Sequence, residues 1–260
     1  MNAELRLDPA HPNAEPAASK SPRKFAARLE PFDSYWQAPK DAEAGFDSFT
    51  AYYRANYLPQ LPTDRGSRIL VISCGPGYLV KTLTEQGYRA VTGIDSDPAK
   101  IAIALRHKLP CHFDHAFEFL SEHPGEFDVI IPEQELNHLT HAETIEFLQL
   151  CRAALRPGGQ VFVYAMNGAN PLVGSENLSH NIDHFYNVTE YSLEQLLKLG
   201  GFDKIRVLPL KLYVFWANPL NYVGLAVTTV LEFLMRAAFA LYGKKVRILS
   251  KKIAAIGFRA

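Results

Sequence analysis

From Arg68 onward the chain alternates short apolar runs with segments whose apolar residues recur every three or four positions. RILVIS (68–73), AVTGI (90–94), CHF (111–113), FDVII (127–131) and QVFVYAM (160–166) read as buried strands. Segments 79–86, 98–109, 116–121 and 142–155 between them read as helices. Strands separated by helices predict a parallel sheet covered on both faces. Beyond Met166 the pattern changes: a helix over 192–199, a strand-like stretch over 204–216, and a very apolar helix that follows. Asn218-Pro219 supplies its N-cap and first position, and Gly243 its stop. Segment 252–259 reads as a last strand. Ahead of the sheet, aromatic residues from Phe46 to Tyr57 fall on one helix face, ended by Pro59; Phe32, Tyr35 and Trp36 precede them.

Composition adds limits. Residues 1–30 are rich in Ala, Pro, Ser and charge, which predicts a disordered tail; 31–260 then form the folded domain. Twenty-seven basic and 27 acidic residues cancel, so no general attraction to nucleic acid follows and none is expected as a partner. The balance hides a basic end: after Pro219, Arg236, Lys244, Lys245, Arg247, Lys251, Lys252 and Arg259 stand against Glu232 alone. Three dispersed cysteines with no CxxC pair point to neither a disulfide framework nor a zinc site, and no metal is expected. Without a basic start and apolar run at the N-terminus, an intracellular, cytoplasmic location is expected.

The chemistry concentrates where the first strand turns into its helix. Ser73-Cys74-Gly75-Pro76-Gly77 lets the backbone approach a ligand and aims helix N-terminal amides at it. Asp95, at the end of the second strand, is placed to accept from vicinal ribose hydroxyls. A dinucleotide loop usually carries a third glycine, and Val80 stands there. Val71–Leu79 (VISCGPGYL) and Gly93–Asp97 (GIDSD) resemble the first two motifs of class I S-adenosylmethionine-dependent methyltransferases. Phe127–His138 and Leu155–Gly159 (LRPGG) resemble the turns around their fourth and fifth strands. The resemblance covers roughly residues 50 to 210. It implies a Rossmann-like sheet of seven strands, mostly parallel with the last antiparallel, here with a helical insertion (219–250) before the last strand. It also implies S-adenosyl-L-methionine as cofactor: Ser73, Cys74, Gly75 and Gly77 at its methionine part, Asp95 at the ribose, Ser96, His115 and Ala116 at the adenine, Pro132 and Glu133 over the sulfonium. Ser73 departs from the glycine usual in the family.

A hydroxyl acceptor needs a base, and histidine titrates near operating pH. His138 follows the fourth strand, at the edge where α/β sites lie. His184 sits in a long polar loop (167–187) and in a segment resembling bacterial sugar and polysaccharide methyltransferases. These readings predict O-methylation of a sugar hydroxyl on a glycan or lipid-linked intermediate, with His184 or His138 as base. The alternatives are methylation of an apolar small molecule of lipid or quinone type, a non-catalytic S-adenosylmethionine-binding protein, and a nicotinamide-dependent oxidoreductase. Tyr52 and Tyr53 fit core packing better than a site role.

Residues 212–231 contain no charge. That length is in the range of a membrane span, but the break at Asn218-Pro219 and the return of the last strand to the sheet argue against one. An apolar helix beside a basic cluster also suits peripheral contact through 219–252 with the inner face of a membrane, though packing on the domain or in a homodimer is the favoured reading.

Overall fold

The structure, a computed structural model, describes residue 24, residues 42–180 and residues 182–260. The tail expected over 1–30, and Phe32, Tyr35 and Trp36, lie outside the described residues. The strands are β1 (Arg68–Ile72), β2 (Ala90–Asp95), β3 (Cys111–Phe113), β4 (Phe127–Pro132), β5 (Leu155–Met166), β6 (Asp203–Leu210) and β7 (Lys252–Phe258). The helices are α1 (Ala42–Asn56), α2 (Tyr78–Glu85), α3 (Pro98–Arg106), α4 (Ala116–Glu122), α5 (His141–Ala154), α6 (Gly174–His180), α7 (Glu190–Leu199) and α8 (Leu220–Leu241).

All seven strands join one sheet in the order β3-β2-β1-β4-β5-β7-β6. Neighbours from β3 to β5 pair parallel, and β7 runs antiparallel between β5 and β6. The alternation of strand side chains explains the two layers of helices. Leu70 and Ile72 pack with Phe117 of α4, Leu148 of α5 and Leu196 of α7, while Ile69 and Val71 pack with Tyr53 of α1, Leu83 of α2 and Ile101 of α3. Polar residues fix where helices begin. Asp97 accepts from Ala99 N at the head of α3, and Thr140 with Glu143 and Thr189 with Ser192 form reciprocal capping boxes on α5 and α7.

The expected elements are present, with three differences. The stretch expected as strand over 204–216 leaves the sheet after Leu210, because its partner begins at Lys252, opposite Leu210, and offers no further ladder. Lys211 bonds Asn56 at the end of α1 instead, its N donating to Asn56 Oδ1 at 2.6 Å. The region 167–187, read as loop, contains α6. β5 starts at Leu155, since Leu155 pairs with Phe127 before the Pro157-Gly158-Gly159 turn. At the head of α8, Asn218 Oδ1 accepts from Leu220 N at 3.0 Å, and Pro219 occupies the cap position itself.

Candidate active site

The sheet brings the C-terminal ends of β1, β2 and β4 side by side, and their turns carry most of the expected residues. Between β1 and α2 the chain turns through left-handed conformations at Ser73 (φ 54°), Gly75 (φ 56°) and Gly77 (φ 92°). Glycine adopts these without cost; a serine at φ 54° gives up about 1 kcal/mol. Asp95 braces the turn: its carboxylate accepts from Gly75 N at 2.8 Å and from Asp97 N at 2.9 Å. Beside it, Asp114 N donates to Asp95 O at 3.1 Å, so Ser96, His115 and the head of α4 at Ala116 gather at one end of the site. A side chain on Gly77 would meet Leu109 at 2.5 Å, and Gly77 does not line the cavity; it serves the turn.

The other end of the turn faces a narrow cavity of about 80 Å³, walled by Ser73, Cys74, Gly75, Glu133, Lys252 and aromatic rings from α1. Cys74 contributes without its thiol, which packs against the bare face of Gly93, where a Cβ would fall 2.9 Å from Sγ. Pro132 pairs with Ile72 in the sheet and delivers Glu133 into the cavity wall. Tyr53 donates to Glu133 Oε2 at 2.6 Å. Burial pushes the Glu133 carboxyl up to about 7, against the opposing pull of its tyrosine bond and of Lys252. Lys252 sits 4.9 Å from the centre of the Tyr164 ring. Burial lowers its ammonium pKa, partly offset by Glu135 and Glu133. Three buried polar atoms on this wall, Tyr52 OH, Ser73 Oγ and Glu133 Oε1, have no hydrogen-bond partner among the described residues.

The narrow cavity continues outward. A second cavity of about 330 Å³ shares Phe49, Tyr52 and Lys252 with it. A third, of about 480 Å³ beneath α8, shares Leu210, Lys211, Leu212 and Lys251 with the second. These shared residues set the three side by side, in a largely apolar row between the underside of α8 and Glu133.

His138 and His184, far apart in sequence, meet edge to face with ring centres 4.6 Å apart. His138 is buried, and burial with the neighbouring His184 charge brings its pKa down to about 4. His184 Nδ1 bonds the carbonyl of Asn177 on α6. Glu135 feels both His184 and Lys252. The two histidines expected as candidate bases thus lie together, outside the lining of the three cavities.

Comparison with known proteins agrees with this geometry. Residues 69–159 match the family described as Methyltransferase domain. A ubiquinone biosynthesis O-methyltransferase of Caulobacter vibrioides is 30% identical over 172 residues, 60% of this chain and 67% of that protein. The chain belongs to the class I S-adenosylmethionine-dependent methyltransferases. The enzyme of the same name from Pseudomonas aeruginosa strain LESB58 is 32% identical over 120 residues, 44% of this chain and 50% of that protein. The methyltransferase thus spans about half the length of several of the curated relatives it matches. Among solved structures, a SAM-dependent methyltransferase from Archaeoglobus fulgidus superposes with a TM-score of 0.64 at 18% identity, covering 87% of this chain and all of that one. Phosphoethanolamine N-methyltransferase 2 of Haemonchus contortus, solved with S-adenosyl-L-methionine, gives 0.55 at 18% identity over 89% of this chain and 60% of that one. At these identities the likeness is one of fold.

The methyltransferase's own residues fit this cofactor. A cationic sulfonium and ammonium suit an acidic group and unpartnered oxygens, and Glu133 Oε1, Ser73 Oγ and Tyr52 OH offer them. The sequence reading missed Lys252, which it grouped with the basic surface. It also ranked Tyr52 and Tyr53 as core, whereas they are packed and line the cavity at once. The antiparallel direction of β7 was the available signal, since it places the first residue of that strand at the site's edge.

Proposed function

We propose that this methyltransferase O-methylates an apolar acceptor bearing a ring hydroxyl, of the quinol or lipid type. The observation that carries this reading is the row of adjoining apolar cavities between α8 and Glu133, which we read as one passage. A sugar seated there would lose water from its hydroxyls with few partners in exchange, at a cost of about 1–3 kcal/mol for each one left unpaired. The similarity to O-methyltransferases of ubiquinone biosynthesis supports both the oxygen and the apolar acceptor. In this reading Ser73, Cys74, Gly75 and Glu133 hold the methionine end of the cofactor, and Asp95, Ser96, His115 and Ala116 the adenosine end.

When bound, S-adenosylmethionine supplies a methyl group on a sulfonium. The protein's share is to orient the acceptor and move its proton. Lys252 stands where the passage meets the cavity, so its ammonium stabilises the oxyanion as the hydroxyl ionises. Glu133 accepts the proton, and a cation beside it favours the ionised form ready to do so. The ionised oxygen would then take the methyl group that the bound cofactor supplies, leaving S-adenosylhomocysteine. Phe49, Tyr52 and the α1 rings keep water out.

The test is turnover of an alkyl-tailed phenol against free and nucleotide-linked sugars, with the wild type and Lys252→Met. The tailed phenol is expected to be methylated, and Lys252→Met to lower kcat on the order of 100-fold while S-adenosylhomocysteine still binds. Preference for a sugar, or an unchanged kcat, would overturn the reading.

A further inference from the structure

Helix α8 is turned inside out. Its partly or fully buried positions, Asn221, Gly224, Thr228, Glu232, Met235 and Phe239, form one stripe that faces the protein, and most of them are polar or small. The outward side is the apolar one, with Val223, Val227, Val230, Phe233 and Leu234 each more than half exposed. A soluble surface helix shows the reverse arrangement. Such a face spread along 22 residues, about 33 Å of helix, is also larger than a monomer in water usually leaves uncovered.

Both ends of the helix are fastened to the segments that flank it. Near its start Asn221 Oδ1 accepts from Phe215 N at 3.3 Å, and the Tyr213 ring lies so close to Gly224 that a Cβ there would fall 2.4 Å from it. Near its end Arg236 donates to the carbonyls of Val246 at 3.1 Å and Arg247 at 2.7 Å, and Leu249 is buried. Those segments lead straight into β6 and β7, neighbours in one sheet, so the helix lies along the protein rather than across a bilayer. Trp216 and Tyr222 at one end and Tyr242 at the other are exposed, the placement aromatic rings take at a membrane–water boundary. Lys244 and Lys245 are exposed at the rim with no ion pair among the described residues, Lys251 is exposed where the second and third cavities meet, and Arg247 is paired with Glu190. The only acid on the helix, Glu232, belongs to the inner stripe and is 3.7 Å from Arg236.

We infer that α8 docks flat on the anionic leaflet of a lipid bilayer, its apolar side sunk into the acyl boundary and Lys244, Lys245 and Lys251 on the headgroups. Resting on the apolar-acceptor reading, this makes the passage beneath α8 the route by which a membrane-dissolved acceptor reaches Lys252 and Glu133 without crossing water. The apolar face commits to lipid over a second copy of the chain because the rim is uniformly positive and meets its complement only on an anionic surface.

The experiment sediments the full chain with phosphatidylcholine vesicles, with and without roughly a third of phosphatidylglycerol. Three proteins are compared: wild type, Val230→Glu/Phe233→Glu, and Lys244→Glu/Lys245→Glu. All four positions are exposed, so circular dichroism is expected to be unchanged. The wild type is expected on anionic vesicles in a salt-weakened manner, the apolar double variant to be lost from both, and the lysine variant to bind on the order of 30-fold more weakly. Absence of vesicle binding overturns the inference, as does light scattering that shows a dimer abolished by Val230→Glu/Phe233→Glu without vesicle binding. A tail-less, water-soluble phenol assayed alongside separates the two readings. Vesicle binding without turnover of any phenol leaves docking in place and removes the acceptor assignment. Turnover of the soluble phenol without vesicle binding does the opposite.

Discussion

Glu133 offers the sharpest physical test. Its carboxyl lies in a wall of aromatic rings, and burial raises its pKa from 4.5 to about 7. A carboxyl held above its unfolded value binds its proton more tightly in the folded state. The stability it contributes is therefore complete below pH 4.5 and is lost as the pH rises through 7. A shift of this size corresponds to roughly 3 kcal/mol, reduced to about 2 kcal/mol because the side chain also touches the cavity. Glutamine keeps the shape and can still accept from Tyr53, but it cannot ionise. Glu133→Gln is expected to leave stability near that of the wild type at pH 5 and to exceed it by about 2 kcal/mol at pH 8. Urea unfolding at the two pH values reads the difference directly as a shift of midpoint at constant slope. A difference that is the same at both would show that the buried wall does not hold the proton. S-adenosylhomocysteine brings an ammonium group to the same wall, so its binding to the wild type near pH 6.5 should release protons. Titration calorimetry in buffers of different ionisation enthalpy measures that release, and Glu133→Gln should suppress it.

Two further outcomes follow from the same wall and its neighbours. His138, with its pKa brought down to about 4 by burial, is neutral in the fold and protonated on unfolding below 6.5, so its contribution is present above 6.5 and lost as the pH falls towards 4. The wild type should lose about 3 kcal/mol from this group over that range, and His138→Gln should flatten the acid side of a urea-midpoint profile; an unchanged profile would refute the burial argument. Ser73→Gly should raise the thermal midpoint by relieving about 1 kcal/mol of left-handed strain, whereas Ser73→Ala should not; equal midpoints for the two would show that the turn is not strained.

The sheet was legible because its signals are local. Each of β1, β2, β4 and β5 is a short apolar run, and the Ser73–Gly77 turn and Asp95 lie at strand ends that the run itself marks. What could not be read depended on placement in space. Lys252 stands among other basic residues in sequence, and only its antiparallel pairing with Met166 of β5, which sets its ammonium over the Tyr164 ring, carries it to Glu133. The meeting of His184 with His138 was not legible because α6 was hidden in a polar stretch whose helix is set by tertiary contacts, such as Asn177 Nδ2 donating to Asn187 at 3.1 Å. In α8 the polar stripe was visible, but the face it turned to was not: pattern defines two sides of a helix, and only packing decides which one is inward.

The reversed direction of β7 has a consequence for how such an enzyme can change. Because β6 ends and β7 begins at the same edge of the sheet, the chain joining them emerges above the reacting centre whatever its length. The exposed part of that connection, residues 216–245, can therefore be rebuilt, lengthened or exchanged without disturbing the turns that Asp95 braces on the far side of β1. Donor handling and acceptor delivery are coded by separate stretches of the chain, so new substrates and new cellular addresses can be acquired together, in one segment, while the chemistry is inherited intact.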